Sequence, residues 1–312
     1  MKKLYRVAAA ILTAVMLFTA CSSQNPNNSQ TTSSGTSESS KTTSESSKAT
    51  ESNLETTETS SEATGGILRF SNQVVDTQLA NKNPFAPSGT FTEMFPLMYE
   101  RLLLFNEVTG EILPSLANSY KWNQDYSELI LEINTKPVWH DGKPFTCDDV
   151  VNTFQILKNN PAFDRYGLWS KINEVATDGK NVTFKLKEPF PSLPYYLCAI
   201  YIVPKHIWEK EDAANFLNEK PIGTGPFIFK AYNTGTDIQF DANKNYWRGA
   251  PKVDQLVIQM YNTSPNCTLA LLKGEVDATL GTIAMPSAPE FMSKENAKIQ
   301  IYPGLGNYSV VI

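Results

Sequence analysis

Residues 22–64 constrain this chain more than any other stretch. Those 43 positions hold 24 Ser or Thr and no Phe, Trp or Tyr. Such a segment cannot bury enough apolar area to offset its chain entropy, and a disordered tether is expected there. The 248 residues that follow carry 32 of the 34 aromatic side chains, so the folded part is expected within 65–312. A chain of this length suits about two domains.

Ahead of the tether, Lys2, Lys3 and Arg6 precede the apolar run Val7 to Phe18. That run is too short to cross a bilayer comfortably and has the layout of an export signal. Leu17-Phe18-Thr19-Ala20-Cys21 resembles the lipobox of bacterial lipoproteins, with Phe18 where Leu is more usual. The resemblance implies a signal peptide over residues 1–20 and a lipid on the Cys21 sulfur. Residues 21–64 are then the lipidated Cys and its tether, whose typical span is roughly 35–40 Å for a flexible chain. The protein is therefore expected on the outer face of the cytoplasmic membrane.

The segment 65–312 has 22 basic and 26 acidic residues and no basic block. Binding that depends on neutralising phosphates is not expected, and nucleic acid is set aside with it. With Cys21 assigned to the anchor, Cys147, Cys198 and Cys267 remain, with no C-x2-C pair. At most one internal disulfide can form, and buried single thiols are the plainer reading. There are only two histidines, His140 and His206, and neither HExxH nor G-x-S-x-G occurs. No metal, cofactor or catalytic residue is expected.

Other motifs read as structure. Asp141-Gly142 suits a turn after His140. Gly223-Thr224-Gly225-Pro226 lacks the Lys-Ser/Thr of a phosphate loop, and Pro226 removes a donor, so it too reads as a turn. The carboxylate pairs Asp148 with Asp149 and Glu275 with Asp277 suit capping or solvated roles. Of the five tryptophans, 122, 139, 169, 208 and 247, most are expected to pack, although such rings can also serve as platforms for sugars.

Periodicity supplies the elements. Ile67 to Phe70 suits a buried strand. Phe91, Met94, Phe95, Met98, Leu102 and Phe105 share one helical face, with Pro96 at a start or kink, and predict a core helix. Alternation at Leu129, Leu131 and Ile133, at Val182, Phe184 and Leu186, at Ile238 and Phe240, and at Leu256, Ile258 and Met260 predicts half-buried strands. Thr146-Cys147-Asp148-Asp149 reads as a capping box for a helix burying Val150, Phe154 and Leu157. Asn266 can cap a helix that Gly274 stops in a left-handed conformation, before a strand over Val276 to Leu280. Irregular interleaving of the two element types points to a mixed α/β fold.

In this order the segments resemble the extracytoplasmic solute-binding proteins of ATP-binding-cassette importers, in the family 5 branch of peptide, nickel and oligopeptide receptors. The matching motifs are Tyr99-Glu100-Arg101-Leu102-Leu103, Leu113-Pro114-Ser115-Leu116-Ala117, the run from Trp139 to Val150, Ile202-Val203-Pro204-Lys205-His206, Pro221 to Phe227, Asn245-Tyr246-Trp247 and Gly274-Glu275-Val276-Asp277. The resemblance implies a bilobal type II periplasmic-binding-protein-like α/β fold. Residues 67–108 and 222–268 would form the first lobe and 109–221 the family's extra subdomain. Residues 269–312 would begin a second lobe that is truncated, since members of the family are considerably longer. A chain of 312 residues is then expected to be a fragment that binds neither peptide nor sugar measurably. Cys147, where the family usually has Ala, implies a small buried site.

The same resemblance implies the function. A lipid-anchored monomer would capture oligopeptides or dipeptides by hinge closure and deliver them to permease subunits and their ATPase. Oligosaccharide capture is the alternative, because Asn83-Pro84-Phe85-Ala86-Pro87 and Pro204 to Trp208 look like the cello-oligosaccharide branch. A secreted hydrolase is disfavoured by the missing nucleophile and metal motifs. The implied ligand-facing residues are Asn72 and Gln73 after the opening strand, and Ser88, Gly89, Thr90 and Phe91 in the loop before the helix.

Overall fold

A computed structural model of the chain describes residues 65–73, 81–86, 93–280, 287–293, 298–300 and 309–311. The signal segment, Cys21 and the tether lie outside the described residues. Within them, a seven-stranded mixed sheet and a four-stranded antiparallel sheet form the frame.

The chain enters on β1 (Ile67–Gln73), passes the single turn of α1 (Phe95–Met98), and makes a small hairpin from β2 (Leu103–Phe105) and β3 (Ile112–Pro114). The four-stranded sheet follows, from β4 (Ala117–Trp122), β5 (Glu128–Ile133), β6 (Ile172–Thr177) and β7 (Asn181–Leu186), ordered β4-β5-β7-β6. Helix α2 (Cys147–Asn159) covers it. Two short helices, α3 (Leu193–Leu197) and α4 (Lys205–Trp208), lead back to the large sheet. There β8 (Phe227–Asn233), β9 (Asp237–Ala242) and β10 (Gln255–Tyr261) form a meander. Helix α5 (Ser264–Lys273) and β11 (Ala278–Thr279) come next, then α6 (Ala288–Met292), β12 (Lys298–Gln300) and β13 (Ser309–Val311). The large sheet is ordered β12-β13-β11-β1-β10-β9-β8, with β1 parallel to both β10 and β11.

The alternating strands behave as their sequence requires. Leu129, Leu131, Val182 and Phe184 on the four-stranded sheet, and Ile238, Phe240 and Ile258 on the large one, are completely buried. One continuous apolar core includes residues of both sheets. On α2, Val150, Phe154 and Leu157 supply the buried face, and Phe154 meets Phe184 edge-on at 4.7 Å.

The capping box at the start of α2 forms and does more than end a helix. Thr146 N–H donates to Asp149 Oδ2 at 2.8 Å and the Thr146 hydroxyl donates to the same oxygen at 3.2 Å. Trp139 Nε1–H also reaches Oδ2 (3.3 Å), and Lys205 N–H donates to Oδ1 (2.8 Å). One buried carboxylate therefore joins the helix start to two distant segments. Its neighbour Asp148 stays at the surface and pairs with Lys205 Nζ at 3.2 Å.

Three expectations are corrected. The helix read over Phe91 to Phe105 ends at Met98, because Tyr99 is already extended (φ −109°, ψ 144°). Beyond that point other segments claim the carbonyls: Glu100 O accepts from Ile202 N–H, Arg101 O from Leu116 N–H and Leu102 O from Ala117 N–H. Met94, Phe95, Met98 and Leu102 are buried as expected, but Phe105 sits on a strand and is partly exposed. The cap of α5 is Thr263, whose side chain accepts from Asn266 N–H, because Pro265 belongs to the first turn and leaves Asn266 inside it. Gly274 does end α5 left-handed (φ 73°), and the strand read over Val276 to Leu280 contracts to Ala278–Thr279. There Asp277 Oδ2 accepts from Arg69 N–H at 2.7 Å, a structural role for that carboxylate.

The Gly223 to Pro226 turn locks against the Trp139 to Lys143 turn through His140. Gly223 N–H donates to His140 Nδ1 at 3.2 Å, and Nε2 lies 3.0 Å from Gly225 O. These partners require the neutral tautomer with its proton on Nε2. Burial, the dominant cause, lowers the His140 pKa below its ordinary 6.5. The folded state thus resists a proton that the unfolded state accepts, so stability contributed here is present above the unfolded pKa and lost as pH falls. We expect unfolding midpoints to drop on acidification from about pH 7 to 5 more steeply in the wild type than in His140→Asn. Parallel pH profiles would show the His140 contribution to be absent.

Candidate functional site

The two strands parallel to β1 are linked to each other: β10 runs through α5 into β11, which lies on the far side of β1. In open α/β sheets, ligands sit in the crevice beyond the carboxyl ends of strands at such a crossover. Asn72 and Gln73 end β1 at this edge, beside Met260 and Tyr261 of β10. The Asn72 side chain is buried and its Nδ2–H donates to Glu93 Oε2 at 2.9 Å, whereas Gln73 is exposed. Burial, the largest cause, pushes the Tyr261 pKa up, and its hydroxyl donates to Gln259 Oε1 at 3.0 Å. Ser88, Gly89, Thr90 and Phe91 lie outside the described residues.

A cleft of about 370 Å³ opens where the 84–85 loop, β2, the 163–166 turn and the α3 region meet. Its walls include Phe85, Phe105, Tyr166, Tyr195, Tyr196 and Tyr201. Tyr195 is 52% exposed and Tyr166 49%, so ring surface is free for a ligand. Ring pairs set their tilt, with Phe105 edge-on to Tyr195 at 5.0 Å and Tyr166 against Tyr196 at 5.6 Å. Three charged side chains share the walls: Arg101, Arg165 and Glu107. Arg101 stacks on the Tyr201 ring (4.4 Å) and donates to its hydroxyl (2.5 Å), and Arg165 donates to Ala86 O. Burial, the largest cause, raises the Tyr201 pKa, so the phenol stays neutral at physiological pH.

Cys198 also lines this cleft, as a buried free thiol whose pKa burial pushes up to about 11. Cys147 and Cys267 are likewise free and buried, with pKa values raised mainly by desolvation. None of the three carries thiolate character at neutral pH. Among the described residues no cluster of His, Cys, Asp and Glu has metal-binding geometry, and no helix is long and apolar enough to cross a membrane.

The sequence reading missed the tyrosines. It considered tryptophans as platforms, but Trp139 and Trp208 are core residues. The usable signal was Pro194-Tyr195-Tyr196, where a proline in the first helical turn starts α3 and two adjacent tyrosines follow it. The walls converge from chain positions as far apart as 84 and 201, which spacing could not reveal.

This mixed sheet, with its accompanying four-stranded sheet and open cleft, is the type II periplasmic-binding-protein fold. The chain belongs to the bacterial extracellular solute-binding proteins, family 5, whose model matches residues 111–312. A Brucella ovis protein named for ABC-transporter peptide binding is 32% identical over 206 residues, 64% of this chain and 39% of that protein. The oligopeptide-binding protein AppA of Bacillus subtilis, solved with a nonapeptide, is 26% identical with TM-score 0.66, covering 76% of this chain and 48% of AppA. The periplasmic oligopeptide-binding protein of Thermotoga maritima, solved with mannohexaose, is 26% identical with TM-score 0.67, covering 75% of this chain and 44% of that protein. The chain thus spans less than half the length of these relatives.

Proposed function

We propose that this protein is the solute-capturing component of an ABC importer, taking oligopeptides or dipeptides and passing them unchanged to the permease and its ATPase. The observation that carries this reading is the composition of the tyrosine-lined cleft. Two guanidinium groups and the Glu107 carboxylate stand among aromatic walls, which suits a ligand carrying both charged termini and varied side chains. In this reading residues 67–108 and 222–268 form the first lobe, 109–221 the extra subdomain, and 269–312 the start of the second lobe. The four-stranded sheet β4-β5-β7-β6 falls wholly within 109–221 and supports the extra subdomain, whereas β11 to β13 continue the sheet that holds β1 and β8 to β10. Closure of one lobe on the other would then enclose the solute. Asn72, Gln73, Ser88, Gly89, Thr90 and Phe91 would face the solute, and the protein would act as a monomer held outside the membrane by lipid on Cys21. The basic start, apolar run and Cys21 support the anchor.

Oligosaccharide capture is a second reading, favoured by the half-exposed rings of Tyr166 and Tyr195, since sugars stack on such faces. Tyrosine ring resonances, followed by NMR during titration with short peptides or cello-oligosaccharides at millimolar concentration, separate the two. That range detects contacts too weak for calorimetry. We expect peptides to shift Tyr166, Tyr195 and Tyr196 while leaving the exposed Tyr126 in place. Shifts with sugar alone would move the assignment to the second reading, and no shift with either would remove the cleft from the function.

A further inference from the structure

The tyrosine-lined cleft carries positive charge that its own residues leave uncompensated. Arg165 is exposed, and its guanidinium donates to Ala86 O at the loop that forms one wall. Arg101 lies on the Tyr201 ring and donates to its hydroxyl. Both partners are neutral, and neither guanidinium forms an ion pair among the described residues. Glu107, the one carboxylate among the described residues of the walls, is exposed and pairs with neither. Glu100, next to Arg101 in the chain, is engaged elsewhere: its oxygens accept from the Tyr246 hydroxyl at 2.9 Å and from Trp247 Nε1–H at 2.8 Å.

The charge of Arg101 is felt inside the cleft. Burial is the largest influence on the Cys198 and Tyr201 pKa values and raises both, the Arg101 charge comes next and lowers them, and no carboxylate contributes to either shift. This sign belongs to the cleft, because residues 65–312 as a whole are acidic, with 26 acidic against 22 basic side chains. A peptide with free termini brings one ammonium and one carboxylate, which match Glu107 and one guanidinium. The second guanidinium is then left over. Aromatic walls keep bulk water from screening it as fully as on an open surface.

Resting on the reading of this cleft as the peptide site, we propose that it selects acidic peptides, with Arg165 pairing a side-chain carboxylate of the bound peptide. A guanidinium has five N–H donors in a fixed fork, so Arg165 can hold Ala86 O and still present donors to a carboxylate. Arg101, packed flat on Tyr201, adds to the positive potential without having to touch the peptide.

The test follows tyrosine ring resonances of the full chain by NMR during millimolar titration with Ala-Glu-Ala, Ala-Gln-Ala and Ala-Lys-Ala, which differ in one side-chain charge. At low ionic strength Ala-Glu-Ala should bind about fivefold more tightly than Ala-Gln-Ala, the size expected of one partly exposed ion pair, and Ala-Lys-Ala more weakly than either. The preference should shrink in sodium chloride at about 0.5 M, where such a pair is screened. Arg165→Gln keeps an amide donor for Ala86 O and should bring the Glu-to-Gln ratio down to about twofold or less. Equal binding of the Glu and Gln peptides, a ratio insensitive to salt, or one that Arg165→Gln leaves intact overturns the acidic preference while the cleft stays a peptide site. Absence of any shift with all three peptides removes the cleft from the function, and this inference with it.

Discussion

Gly223→Ala is expected to destabilise the protein by at least about 3 kcal/mol, enough to prevent accumulation of the folded chain. A Cβ built at Gly223 would lie 1.8 Å from Met98 O and 2.6 Å from Met98 C, both backbone atoms. Neither side can retreat. Gly223 O accepts from His140 N–H at 2.8 Å, Gly225 N–H donates to Met98 O at 2.8 Å, and Met98 itself is fully buried. Gly110→Ala provides the contrast. Gly110 has φ +74° with open space around its Cβ direction, so alanine there meets conformational strain alone, about 1–2 kcal/mol. Urea midpoints of the two variants measure the difference, and a Gly223→Ala protein within 1 kcal/mol of wild type would show that the turn can shift.

The second large effect is expected at Asp149. Asp149→Ala removes the acceptor for Trp139 Nε1–H, Thr146 N–H, the Thr146 hydroxyl and Lys205 N–H together. Burial leaves water little access to the abandoned donors, and the loss is estimated at about 3–5 kcal/mol. Asp149→Asn should cost less, since its single carbonyl oxygen can keep the donors of one side but presents an amide to the other. Because Trp139 is buried beside this carboxylate and edge-on to Phe145 at 5.9 Å, its near-ultraviolet circular dichroism should weaken in parallel with stability. An Asp149→Ala variant with wild-type midpoint and spectrum would remove the carboxylate from this role.

The turn, the cap and the cleft differ in how far they could be read beforehand. The Thr146 to Asp149 box was legible because a cap is local: four consecutive residues contain both donor and acceptor. The further bonds of Asp149 to Trp139 and Lys205 were not, since those partners lie 10 and 56 residues away. The turn at Gly223 was legible as a turn, but the reason for its glycines is Met98, which approaches from another part of the chain.

Sequence alone determined the mixed α/β class, the alternating strands around Leu131, Phe184 and Phe240, the left-handed stop at Gly274, and the near balance of basic and acidic residues in 65–312. Each depends on side-chain period, local backbone preference or summed charge, which adjacent residues carry. Only the tertiary structure decided that Phe91 to Phe105 is not one helix. The 3.6-residue period was genuine, and Met94, Phe95, Met98 and Leu102 are buried, but carbonyls beyond Met98 pair with Ile202, Leu116 and Ala117 instead of with their own turn. Only the tertiary structure, too, brought Tyr166, Tyr195, Tyr196 and Tyr201 to one cleft and left Ser115 Oγ and Arg101 Nε without a partner among the described residues. A buried donor's satisfaction depends on what distant segments place beside it, and that is a property of packing that no local pattern contains.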